Sequence, residues 1–127
     1  MTIAYWAVLA AIFLPYLFIG IAKFSGGFGP RENHFPREWL ENLEGARKRA
    51  YWAQLNSFEV TPPFLAAVII AHQIGSAAQS TIDWIAVAFV LSRLFFGICY
   101  IKDWATLRSL VWFFGVGCIV ALFLVSV

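Results

Sequence analysis

The sequence predicts an all-α integral membrane protein, a single bundle of four transmembrane helices. Two observations carry that reading. Of the 127 residues, 61% are hydrophobic and only 13% charged, with a mean hydropathy of +0.77. Soluble domains are nearer half apolar and a quarter charged, so the chain departs in the membrane direction. The apolar residues also gather into four long runs, each approaching the ~20 residues that cross a bilayer. None alternates as a barrel strand would. The length suits one domain, and a net charge of +2 gives no argument for nucleic acid.

The first run, about residues 3–22, carries no charge and holds Pro15 inside it. Neighbouring helices can satisfy the carbonyl that such a proline frees. The run lacks the basic flank of a signal peptide and is too long for a cleaved one, so it is expected to be retained. The second span covers about residues 49–74, with its apolar part starting near Phe58 and Pro62 and Pro63 expected to kink or loosen it. The third covers about residues 81–101 and the fourth about residues 105–127.

Between the first two spans lies the one long polar segment, residues 23–48. Gly26, Gly27, Gly29, Pro30 and Pro36 make its first half loop-like. The stretch "PREWLENLEGARKRA" has proline at a plausible first helical position and basic residues late, so it reads as helical and would start the second helix outside the bilayer. Lys23, Arg31, Arg37, Arg47, Lys48, Arg49, Lys102 and Arg108 fall in or beside the first and third loops, and none falls in the second. The positive-inside rule then puts those two loops in the cytoplasm and both termini on the other side. Trp6, Trp84, Trp104 and Tyr100 lie near span ends, as interfacial aromatics do.

Two charges lie inside spans, where insertion of Arg or Asp at mid-helix costs about 2.5–3.5 kcal/mol. Arg93 lies roughly 12 Å from the cytoplasmic end of the third span, at 1.5 Å per residue. Glu59 lies at similar depth on the antiparallel second span, so the two are placed to pair. A structural ion pair, or an arginine snorkelling to the interface, would account for them without function. Spacing adds to the functional side. Trp52, Asn56, Glu59 and Pro63 recur at i, i+4, i+7 and i+11, one helix face. Arg93 and Tyr100 share a face of the third span, and Arg108 and Ser109 open the fourth. Such a pocket suits a small anionic or zwitterionic molecule, with arginines for carboxylates and Glu59 for an ammonium. Glutathione fits that description, as do many metabolites.

Elsewhere the residues read as structure. Cys99 and Cys118 lie in apolar runs and are expected to be buried small hydrophobes, and no metal-ligand cluster is present in the sequence. His34 is expected in solvent and His72 at the far interface. Asp83 opens the third span, where a carboxylate favours the helix dipole. Gly115 and Gly117 are expected to allow close helix packing.

Three pieces, "WAQLNSFE", "RLFFGICY" and "LRSLVW", together resemble the MAPEG family, the membrane-associated proteins of eicosanoid and glutathione metabolism, and "NSFEVTPPF" resembles its bacterial branch. The first is similar to an R-A-H-x-N-x-x-E pattern, the second to an arginine followed seven positions later by tyrosine, and the third to an Arg-Ser pair. The resemblance implies a homotrimer in a membrane, here a bacterial inner membrane. It implies glutathione bound between protomers near the cytoplasmic side, and a lipophilic substrate arriving through the lipid. Asn56, Glu59, Arg93, Tyr100 and Arg108 would contact glutathione, and Arg108 or Ser109 would lie nearest its thiol. The activity implied is a glutathione-dependent transferase or peroxidase, with no metal. The sequence departs from the pattern at Trp52, where the motif has arginine, at Gln54, where it has histidine, and at Trp112, where some members have tyrosine. Arg49, one turn before the missing arginine, would reach the same ligand. These departures leave room for a non-catalytic lipid- or ligand-binding member. A small proton-coupled exporter is a further alternative, set back by the absence of any charge in the first span.

Overall fold

The computed structural model describes all 127 residues. Five α-helices follow in order: α1, Ile3–Phe24; α2, Pro36–Glu41; α3, Gly45–Ile74; α4, Gln79–Ile101; and α5, Ala105–Leu124. A single 3₁₀ turn, Glu32–His34, precedes α2. Four of the helices, all but α2, are long and apolar enough to cross a membrane. At 1.5 Å per residue the 30 residues of α3 span roughly 45 Å. That exceeds a hydrocarbon core of about 30 Å, so α3 projects well past it.

The polar segment is not one helix. Pro36 starts α2, where its missing N–H is no loss, but the helix closes at Asn42, and α3 begins afresh at Gly45. Gly45 has φ of 62°, a left-handed conformation that breaks the helical path between the two. The second span therefore begins at Gly45, earlier than its charged residues suggest. Pro15 and the Pro62–Pro63 pair lie within unbroken helices.

α1 packs against α3 and α4, and α5 against α4 and α3. Ala4, Ala7 and Ala11 of α1 meet Ala67 and Ala71 of α3 in the main core, a small-residue face that lets helices approach where no water drives them together. Phe64 and Phe89 stack inside this core with centroids 3.9 Å apart. Cys118 belongs to the same core, Cys99 packs with Phe96 and Val111, and both thiols are free. The large apolar side chains Trp6, Phe13, Leu17, Leu91, Leu110 and Phe113 point outward, as suits a protein whose solvent is hydrocarbon.

Glycine works at two helix crossings. A Cβ on Gly97 would overlap the ring of Phe18, so α1 and α4 cross there only because position 97 has no side chain. A Cβ on Gly115 would lie 3.2 Å from the Ser92 hydroxyl and 3.8 Å from Cδ of Arg93. Gly117, which reads from sequence as a second packing glycine, faces open space.

The helix ends are tied by side chains of other helices. Arg47 donates from Nε to the Ala22 carbonyl at 3.2 Å and from Nη2 to that of Gly26, closing the end of α1. Lys48 donates to the carbonyls of Leu40 and Glu41 at the end of α2. Arg49 donates from Nε and Nη2 to the Ile101 carbonyl, at 3.2 and 2.9 Å, at the end of α4. Three consecutive cations thus each satisfy orphan carbonyls of a different helix, at the negative end of its dipole. At the opposite end of the bundle, Asp83 serves a neighbour more than its own helix. Its Oδ1 accepts from the Ala4 amide at the start of α1 at 2.8 Å, and from Gln79 Nε2 at 2.8 Å. His72 stacks on Tyr5, 4.3 Å between centroids, and Thr2 Oγ1 lies 3.1 Å from its Nε2.

Candidate functional site

The intramembrane polar groups meet on α3, α4 and α5, at the end of the bundle that carries the long loop. Arg93 is buried, with 3% of its surface exposed. Its Nη2 donates to Oδ1 of Asn56 at 2.7 Å, and Asn56 in turn donates from Nδ2 to Oε2 of Glu59 at 3.1 Å. A guanidinium has only donors and a carboxylate only acceptors, so an amide between them can satisfy both at once. The two charges inferred to pair are therefore linked through Asn56 rather than in direct contact. The guanidinium also lies over the Phe96 ring, 4.0 Å from its centroid, and its Nε is buried without a hydrogen-bond partner.

Two cavities open beside this chain. The first, about 240 Å³, is lined by Asn56, Phe96, Tyr100, Arg108, Ser109, Trp112 and Phe113. We call it the arginine cavity. The second, about 490 Å³, is lined by Trp52, Leu55, Asn56, Glu59 and Tyr100. We call it the glutamate cavity. Asn56 and Tyr100 belong to both, so the two are adjoining parts of one site.

Aromatic rings hold the charged walls. The Arg108 guanidinium carbon lies 4.5 Å from the Tyr100 ring centroid, a cation–π contact. Tyr100 is braced by Phe96 edge-on at 5.4 Å and by Trp52 at 6.3 Å, tilted by 50°. Ser109 donates its hydroxyl to the Ala105 carbonyl at 3.2 Å, the back-bond common for serine in a helix. The site is polarised: Arg108 marks one end and Glu59 the other.

Of the residues singled out from sequence, Asn56, Glu59, Tyr100, Arg108 and Ser109 line the two cavities. Arg93 lines neither and reaches the site through Asn56. Arg49 lies outside it, with its guanidinium on the Ile101 carbonyl. Phe96, Phe113 and Leu55 also form walls and are not evident from composition. Helical spacing does point to them, since Phe96 is four residues before Tyr100 and Phe113 four after Ser109. Trp112, a departure from the family pattern, stands in the arginine cavity and meets Phe113 edge-on at 5.1 Å.

A bundle of four membrane-crossing helices defines an integral membrane protein, and the polar, polarised cavity at one end is its candidate small-molecule site. The MAPEG family model matches residues 3–127, and the chain belongs to that family, membrane proteins of the glutathione and eicosanoid metabolism type. No curated protein and no solved structure gives a significant match.

Proposed function

We propose that the protein is a glutathione-dependent membrane transferase or peroxidase acting on lipophilic electrophiles. The observation that carries this reading is the composition of the arginine cavity. A seated cation, Arg108, and a hydroxyl, Ser109, share a space with Trp112 and Phe113, and Phe113 is 67% exposed on the apolar surface. A thiol and a lipid-dissolved molecule would meet there.

The chemistry follows from charge. A cysteine thiol has a pKa of about 8.5 and is mostly protonated at neutral pH. Arg108 beside the sulfur favours the thiolate, the nucleophilic form, in a site screened from water on its lipid side. In transfer, the thiolate sulfur forms a bond to the electrophilic carbon, and the leaving group departs with the bonding electrons or a proton is taken up. In peroxide reduction, two thiols are oxidised to a disulfide while the peroxide becomes an alcohol and water. Asn56 and Glu59 would hold the peptide away from the reacting sulfur. The long-loop end faces the cytoplasm in this reading, by its basic residues, and the protein works as a homotrimer in a bacterial inner membrane.

Trp112 favours a second reading, a non-catalytic binder of lipophilic ligands, because its bulk walls a cavity of only about 240 Å³. The purified protein in neutral detergent, given glutathione and chlorodinitrobenzene, separates the two. The transferase reading expects turnover that falls roughly a hundredfold or more in Arg108→Ala, the scale of losing one charge-stabilising donor. Turnover equal to that of Arg108→Ala, with no glutathione heat signal in calorimetry, would overturn it. Binding of a lipophilic ligand without glutathione would then establish the second reading.

A further inference from the structure

At the end of the bundle away from the long loop, the starts of α1 and α4 border a cavity of about 160 Å³, lined by Ile3, Ser80, Asp83, Trp84 and Val87. Residues 80, 83, 84 and 87 recur at i, i+3, i+4 and i+7, so one face of α4 supplies most of the wall. From Ser80 to Val87 the helix rises roughly 10 Å, so the cavity runs from the helix start into the apolar span. Asp83 is the only Asp, Glu, Lys or Arg among residues 1–22, 60–92 and 109–127, which build this end. Its Oδ1 is occupied by the Ala4 amide and Gln79 Nε2, both at 2.8 Å, and no group of the protein donates to Oδ2. The carboxylate therefore keeps acceptor capacity and has no counter-charge. His72, the one other side chain of this end able to carry positive charge, has both ring nitrogens engaged, at the Val68 carbonyl and the Thr2 hydroxyl.

We infer that this cavity is a headgroup site for a phospholipid that carries a primary ammonium. A carboxylate at the membrane boundary is costly without a partner, and a cation from outside the chain completes it. The ammonium donates to Oδ2 of Asp83 beside the indole of Trp84, the aromatic that attracts cations most strongly. The Ser80 hydroxyl, in the same lining, serves the phosphate. Ile3 and Trp84 are exposed on the apolar outer surface, so an amphiphile reaches the cavity from the bilayer, and its chains follow Ile3 and Val87. A primary ammonium is preferred to a quaternary one on two grounds. It has N–H groups for the carboxylate, and it fits a small cavity without three added methyl groups. A headgroup with net negative charge finds no cationic side chain here. Because the same carboxylate holds the Ala4 amide, an occupied site fastens the start of α1 to α4. The inference is independent of the glutathione reading, whose cavities lie at the other end of the bundle.

The test is native mass spectrometry of the full chain, released from neutral detergent after equilibration with equal amounts of dioleoyl-phosphatidylethanolamine and dioleoyl-phosphatidylcholine. The two lipids differ only in the methyl groups on nitrogen. The wild type is expected to retain the ethanolamine lipid roughly tenfold over the choline lipid, the scale of one charge-assisted hydrogen bond. Asp83→Asn keeps an acceptor for the Ala4 amide but loses the charge, and should bring that ratio to about twofold or less. Trp84→Leu, at a position 75% exposed, should lower retention of both lipids about threefold, since the indole attracts either ammonium. Each variant is checked for an unchanged helical spectrum, and the surface position of Trp84 keeps the test independent of any effect of Asp83 on folding. Equal retention of the two lipids by the wild type, or retention of neither, overturns the inference. A tenfold ratio that persists in Asp83→Asn overturns the site. Displacement of the lipid by O-phosphoethanolamine, the headgroup without chains, would assign the cavity to a soluble amine and overturn the lipid reading.

Discussion

Truncating Asn56 to alanine removes the one hydrogen bond that the buried guanidinium of Arg93 makes. Arg93 is 3% exposed, its Nε already lacks a partner, and Nη2 depends on Oδ1 of Asn56 at 2.7 Å. A hydrogen bond to a charged group contributes about 1.5–3 kcal/mol, and the full desolvation cost remains when only one partner is deleted. Glu59 loses its bond from Nδ2 as well, but it is exposed and adds little. Asn56→Ala should therefore destabilise the fold by about 2 kcal/mol, nearly all of it on Arg93. Arg93→Met keeps the apolar stem and removes the charge. In that background Asn56→Ala should cost less than about 0.5 kcal/mol, giving a coupling of about 1.5 kcal/mol or more. The assay is a double-mutant cycle by SDS-titrated unfolding in mixed micelles, followed by circular dichroism. An equal cost of Asn56→Ala in both backgrounds would refute the reasoning, since it would mean that Asn56 stabilises α3 without the guanidinium.

Two other outcomes follow from the packing and the helix ends. Gly97→Ala drives a Cβ into the Phe18 ring and should cost about 1–3 kcal/mol, with most of the loss recovered when Phe18→Leu is added; failure of the second change to rescue would show that α1 and α4 give way elsewhere. Asp83→Ala frees the Ala4 amide at the start of α1 and should cost about 1 kcal/mol, whereas Asp83→Asn, which keeps an acceptor, should cost about half as much, as read from the same unfolding titration.

The membrane helices were legible in the sequence because a bilayer imposes length and apolarity on each segment by itself. Four runs of the right length sufficed, and no partner had to be known. The site was partly legible for the same reason. A charge within a span is costly, so Arg93 and Glu59 stand out from their surroundings, and helical spacing puts Asn56 on the face of Glu59. What spacing could not supply was the order of contact. Whether Arg93 touches Glu59 or Asn56 depends on the distance between α3 and α4, which helical spacing does not encode, and the guanidinium meets Asn56 Oδ1 at 2.7 Å. Arg49 shows the same limit. A long flexible cation one turn from the motif reads as a ligand contact, yet the orphan carbonyl at Ile101 takes it.

What the sequence by itself determined is the kind of molecule: four apolar spans, a long basic loop, and a polar face on α3 opposite an arginine on α4. Only the tertiary structure decided how that face is divided. Tyr100 and Asn56 border two cavities, Arg108 is seated on one ring, and Trp52 and Glu59 line the other space from the same helix. Helix periodicity assigns residues to faces, but a cavity forms where three faces meet, and their separation depends on contacts such as Phe18 on Gly97, 79 positions apart in the chain.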